Sequence, residues 1–253
     1  MSGHSKWSTI KRAKGVTDAK RGQLFTKLSR DIGIAVRQGG GPDPDLNVRL
    51  RLSMEKARGS NMPMDTIERA ILRASGGGDS GEEPEDVLYE GYGPGGAAIM
   101  LQAFTDNRNR TASEVRATFV KAGGALGDAG CVSWNFESKG VITLDVDPAR
   151  AEDVALIAID ASAEDVRIEE GYLEIYTEPE ALQSIREALQ QNKIETPSAE
   201  ISMLPKSTIS LDVKEAEQTL RLLDNLEELV DVQKVYSNAD FPDEVLEKYR
   251  NDG

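Results

Sequence analysis

An α+β fold in three domains is expected: an N-terminal helical domain and two α/β domains, one of them ferredoxin-like and inserted in the other. Three observations carry the expectation. The hydrophobic period changes from helical to alternating near residue 85. A β-α-β-β-α-β order runs from Gly140 to Leu204. The helix and strand that follow it are too little to form a core alone, whereas the segment before it lacks a helix and a strand. The boundaries that result are 1–77, 85–137 joined to 206–240, the insert 138–205, and an acidic tail at 241–253.

Residues 1–20 read as a basic arm with little apolar periodicity. From about Ala19 the pattern is helical. Leu24, Phe25, Leu28, Ile32, Ala35 and Val36 share one side of the wheel, and Lys20, Lys27, Arg30 and Arg37 gather on the other. Gly39–Gly41 and Pro42 stop this helix. A second helix is expected over 46–58 with Leu46, Leu50, Met54 and Ala57 inward. A third follows Pro63 with Ile67, Ala70, Ile71 and Ala74 inward. Residues 76–84 have linker composition.

Strands are expected at 87–92 and 97–104, joined through Gly93-Pro94-Gly95-Gly96, with a helix at 110–122 and a third strand at 131–136. In the insert, Val141–Leu144 begins the sheet and Asp147-Pro148 opens a helix to Ala161. Val166 with Ile168, then Leu173 with Ile175, form a hairpin. Thr177 and Glu180 read as a capping box for a helix over 180–191, and 199–204 closes the unit. An amphipathic helix over 213–230 and a strand at 232–236 complete the middle domain.

Charge is the strongest functional signal. Residues 1–75 hold fifteen Lys and Arg against seven Asp and Glu, a formal +8; the rest of the chain stands at −22. Such a split points one end of the molecule at a polyanion. The candidate contacts are Lys6, Trp7, Lys11, Arg12, Lys14, Lys20, Arg21, Lys27 and Arg30. Mobile cations suit phosphates, and an indole can stack on an exposed base. Arg108 and Arg110, at a strand-to-helix junction, are secondary candidates. There they form either an anion site or a capped, ion-paired turn with Asp106 as cap and partner.

Whole reaction classes are disfavoured. One histidine, His4, and one cysteine, Cys131, leave no intrachain His/Cys zinc site or disulfide. There is no GxxxxGK[ST] loop and no GxGxxG after a strand. The Gly91–Gly96 run reads as a hairpin turn before a phosphate cradle, Cys131 as a core residue, and acidic pairs such as Glu227-Glu228 as solvated. No catalytic residue, cofactor or metal is expected, and no membrane span.

Several long motifs are distinctive: Gly3-His4-Ser5-Lys6-Trp7, Asp18-Ala19-Lys20-Arg21-Gly22, Asn61-Met62-Pro63, Tyr89-Glu90-Gly91-Tyr92-Gly93-Pro94-Gly95-Gly96, Thr105 to Thr111 (TDNRNRT), and Val235-Tyr236-Ser237-Asn238-Ala239-Asp240. Together they resemble the YebC/PmpR family. The resemblance implies the three-domain layout and a cytoplasmic, non-enzymatic regulator of gene expression, the family being generally labelled as DNA-binding transcriptional regulators. Other members are described as translation factors, which makes ribosomal or transfer RNA, and the ribosome itself, the alternative partner. A third alternative is a small-molecule sensor with a cleft between the α/β domains. A monomer is expected.

Overall fold

The computed structural model describes residues 18–77, 85–105, 107–169 and 171–251. The linker residues 78–84 lie outside that set. The chain forms two compact units. One takes in the N-terminal helices, residues 85–136 and 205–251; the other is Glu137–Leu204 together with Arg58–Ser60.

In the first unit, α1 (Asp18–Gln38), α2 (Val48–Gly59) and α3 (Met64–Leu72) enclose a small core. Leu28, Ile32, Ala35, Leu50, Met54, Ala57 and Ile67 are buried in it. Leu46 is not: it is 82% exposed. The reason is the cap. Asn47 is buried, accepts the Leu50 N–H at 2.9 Å, and donates to the carbonyls of Ala35 and Gly41 at 2.8 Å each. The helix therefore begins after Asn47, and Leu46 precedes its inward stripe. Leu46→Gln is expected to change stability by no more than about 0.5 kcal/mol in urea unfolding.

The same unit holds β1 (Glu85–Tyr92), β2 (Ala98–Thr105), α4 (Arg108–Lys121) and β3 (Ala125–Leu126). In the other unit, β4 (Phe136–Asp145), α5 (Ala151–Asp160), β5 (Asp165–Glu169), β6 (Tyr172–Thr177), α6 (Leu182–Gln191) and β7 (Ser198–Pro205) form a sheet in the order β5-β6-β4-β7 with two helices. That is the ferredoxin-like order. Asp147 caps as expected, accepting the Ala149 N–H at 3.0 Å. The Thr177–Glu180 capping box does not form. Thr177 ends β6 with its hydroxyl buried and without a hydrogen-bond partner among the described residues, and a 3-10 turn at Pro179–Ala181 starts the helix instead.

The chain then returns to the first unit through β8 (Ile209–Ser210), α7 (Val213–Glu228), β9 (Val232–Ser237), β10 (Ala239–Asp240) and α8 (Asp243–Asn251). Strand order is β3-β1-β2-β9, antiparallel at every pairing, so the strand that starts at Val232 completes a sheet begun at Glu85. Ile99, Leu101, Val115, Phe119, Leu220, Leu223 and Val235 form its core between sheet and helices. The segment expected as an acidic tail is α8, whose Val245 and Leu246 are buried in that core. The expected strand at 131–136 is also different. Residues 133–135 make a 3-10 turn, β4 starts at Phe136, and the third strand of the sheet is β3.

Candidate nucleic-acid interface

Of the candidate contacts, Lys6, Trp7, Lys11, Arg12 and Lys14 lie outside the described residues, as do the side chains of Lys20 and Arg21 at the start of α1. Lys27 and Arg30 are described, and their placement corrects the expectation of an open basic face. The Lys27 ammonium donates to the carbonyl of Glu227. Arg30 donates to the carbonyl of Val230 at 2.6 Å and pairs with Asp231 at 3.0 Å. Arg37 lies over the Phe104 ring, 5.5 Å from its centroid. Gln38 donates to Asp86. Ile34, on the same side of α1, is buried. This face covers the α/β body of its own unit. Helix α7 presents its carbonyl end there, where cations are favoured.

Asp231, between α7 and β9, is the centre of this contact. Its side chain is 4% exposed. It accepts from Arg30 at 3.0 Å, Arg110 at 2.7 Å, and the hydroxyls of Thr111 at 2.7 Å and Thr105 at 3.2 Å. Burial pushes its carboxyl up; the bonds from Arg110 and Thr111 and the charge of Arg30 outweigh that and hold it below the ordinary aspartate range. The TDNRNRT motif is thus a built turn. Asn107, not Asp106, caps α4 by accepting the Arg110 N–H at 3.0 Å; Asp106 lies outside the described residues. Arg110 is answered by Asp231 and Arg108 by Glu85 at 3.4 Å. Both guanidiniums still reach solvent, with side chains 45% and 64% exposed.

The Tyr89-to-Gly96 run has a packing explanation. A Cβ on Gly91 would stand 2.5 Å from the Ala125 carbonyl oxygen, and one on Gly95, where φ is +68°, would stand 2.6 Å from Leu211. Neighbouring elements approach too closely for side chains, so these glycines serve the fold. Glu90 inside the run is 4% exposed and accepts three backbone N–H groups, from Gly130, Val132 and Ser133, each at 2.8 Å. Burial would raise its carboxyl, but the three N–H donors hold it below the ordinary range. Cys131, expected in the core, sits half-buried on this loop because no strand carries it inward. Burial, then the charge of Glu90, push its thiol up.

Sequence reasoning missed two kinds of residue. Arg49 on α2, Arg69 on α3 and Arg73 just past α3 are exposed and extend the positive charge of the helical region; the local charge count held them, without a wheel pattern to single them out. Asp231 carried no local signal, because its partners are up to 201 positions away. Among the described residues no cluster of His, Cys, Asp and Glu could hold a metal, and no helix is long and apolar enough to cross a membrane.

A family model described as the TACO1/YebC protein N-terminal domain matches residues 5–77, and one described as the TACO1/YebC second and third domain matches 84–239. A protein of Dehalococcoides mccartyi strain BAV1 is 54% identical over 251 residues, covering 99% of both chains. One of Roseiflexus castenholzii is 52% identical over 252 residues, covering 98% of this chain and 99% of the relative. Both are named probable transcriptional regulatory protein. The crystal structure of a conserved hypothetical protein from Aquifex aeolicus superposes with a TM-score of 0.81 at 47% identity, covering 89% of this chain and 92% of that one.

Proposed function

Since the chain belongs to the TACO1/YebC family, we propose that it is a non-enzymatic regulator of gene expression, of the transcriptional type for which its relatives are named, and that it binds nucleic acid through its N-terminal arm. The observation that carries this is the charge split, +8 over residues 1–75 against −22 beyond. A polyanion is attracted to the basic end far more strongly than to the rest, which orients the encounter. The docking of Lys27 and Arg30 narrows the contact set. The arm cations Lys6, Lys11, Arg12 and Lys14, with Lys20 and Arg21, carry the phosphate contacts; Arg49, Arg69 and Arg73 flank them, and Arg108 and Arg110 form a secondary patch.

One observation favours RNA as the target. Among the described residues the most cationic long helix, α1, turns Lys27 and Arg30 onto its own protein, which leaves no long basic helix among them to lie along a duplex groove. A short basic arm with one indole suits irregular, partly unpaired RNA. A ribosome-associated role in translation is therefore the second reading.

With about five phosphate contacts, log K plotted against log salt is expected to fall with a slope of about −3.5 to −4.5, measured by fluorescence anisotropy. Deleting residues 1–17 should flatten the slope and abolish most of the affinity. A salt-independent affinity, or one that survives the deletion, refutes the proposal. Crosslinking in cells with sequencing of both recovered RNA and DNA separates the readings: promoter peaks support transcription, and ribosomal or transfer RNA contacts support translation.

A further inference from the structure

We infer that Trp134 and Tyr92 form a second nucleic-acid contact, a platform on which an unpaired base of a single strand stacks. Both rings are unusually open for their size, Trp134 66% and Tyr92 41% exposed. They come from different elements, the 3-10 turn before β4 and the end of β1, yet their polar ends meet at one atom. The Trp134 indole N–H and the Tyr92 hydroxyl each donate to the Cys131 carbonyl at 2.9 Å. The two rings are therefore neighbours with settled orientations, and their apolar surfaces are left for something else.

The backbone beneath them is held on every side. The Glu90 carboxylate grips the N–H groups of Gly130, Val132 and Ser133. Residues flanking Trp134 point inward: Val132 is 0% and Asn135 2% exposed. The Asn135 side chain accepts the Ser207 N–H at 3.0 Å and donates to the Ser207 carbonyl at 3.0 Å. An exposed indole on a floppy loop is ordinary; one on a clamped turn is pre-organised, and pre-organisation lowers the entropy cost of capture. Lys206 is exposed, and its backbone N–H donates to the Asn135 carbonyl at 2.7 Å, one residue from Trp134. Two rings with an exposed lysine whose backbone pairs with Asn135 fit a nucleotide, the base on the aromatic faces and the phosphate on the lysine ammonium. A purely apolar partner would leave that ammonium unused.

This inference rests on the nucleic-acid reading above, and the test separates the two. Anisotropy is measured with fluorescein-labelled 12-nucleotide single-stranded RNA, single-stranded DNA and the matching duplex, on the full chain and three variants. Trp134→Ala should weaken single-strand binding about five- to a hundredfold, the range carried by one base–aromatic stack. Duplex binding should change less than about twofold, because paired bases are not available to the platform. Trp134→Phe should recover most of the loss, and Lys206→Ala should weaken single strands further. Comparing RNA with DNA shows whether the platform prefers either backbone. Thermal unfolding of each variant at the wild-type temperature confirms that the exposed position is not needed for folding.

If Trp134→Ala binds single strands as tightly as wild type while removal of residues 1–17 abolishes binding, the platform is overturned and the arm stands. Equal losses for single strand and duplex overturn it as well. Unchanged nucleic-acid affinity with loss of a nuclease-resistant protein partner assigns the rings to a protein interface instead. Wild-type protein that binds none of the three oligonucleotides overturns both the platform and the nucleic-acid reading.

Discussion

Asp231→Ala is expected to destabilise the first unit by about 3–5 kcal/mol, the cost of breaking a buried ion pair from one side. The carboxylate is nearly sealed and accepts from four side chains. Removing it strands the Arg30 and Arg110 guanidiniums beside each other and leaves the Thr111 hydroxyl, on a fully buried residue, without its charged acceptor. Asp231→Asn should cost nearly as much, since its amide nitrogen would face donors. Arg30→Met should cost less, because the Arg30 side chain is 26% exposed and the carboxylate keeps its other partners. Urea unfolding with a double-mutant cycle measures each share. An Asp231→Asn protein within about 0.5 kcal/mol of wild type would falsify the central role given to this carboxylate.

The pH dependence follows from the sign of the shift. The folded Asp231 carboxyl lies below the ordinary aspartate value of 3.8, so the folded state binds its proton less readily than the unfolded chain. Its contribution is complete above that value and is lost as pH falls through the lower folded value. Acid unfolding should therefore begin with separation of α1 from β9. Hydrogen exchange at α1 amides below about pH 4 is the measurement.

Glu90→Gln is the second large effect, about 2–4 kcal/mol for a change that preserves shape. Both carboxylate oxygens are used, one by Gly130 and the other by Val132 and Ser133. A glutamine must turn its amino group toward at least one of those N–H groups, setting donor against donor. The amide oxygen is best kept on Val132 and Ser133, which leaves the Gly130 N–H facing the amino group without an acceptor. The loop from Asp128 to Asn135 should loosen. Glu90 is also held below its ordinary value of 4.5, so its contribution too is lost on acidification through the lower folded value. If base stacking occurs on Trp134, Glu90→Gln should weaken single-strand binding without touching either ring.

These effects bear on what the linear chain reveals. Periodicity placed the buried faces of α1 and α3 correctly, because a 3.6-residue repeat is a local property. It misplaced Leu46, where one side chain, Asn47, sets the start of the helix by bonding across to Ala35 and Gly41. It also read 131–136 as a strand, though only Phe136 is in one. That apolar stretch is pulled into a turn by Glu90, about forty positions earlier, which no local pattern announces. The expected ferredoxin-like insert came through because its alternation and turn residues all lie within one segment.

The amino-acid sequence by itself determined the charge split, the change from helical to alternating period, the order of the inserted unit and, through its long motifs, the family. These are sums or local repeats, and they survive without knowing which surfaces meet. Only the tertiary structure decided what the charges do. A helical wheel shows that Lys27, Arg30 and Arg37 share a face with Ile34, but not what covers that face. Folding brings α7 and Asp231 against it, some 200 residues away, so that Lys27 bonds the Glu227 carbonyl and Arg30 pairs with Asp231. It likewise turns Trp134 outward by anchoring its neighbours inward. Long-range pairing satisfies buried charge and backbone polar groups globally, so the residues left exposed for function are known only once the fold has claimed the others.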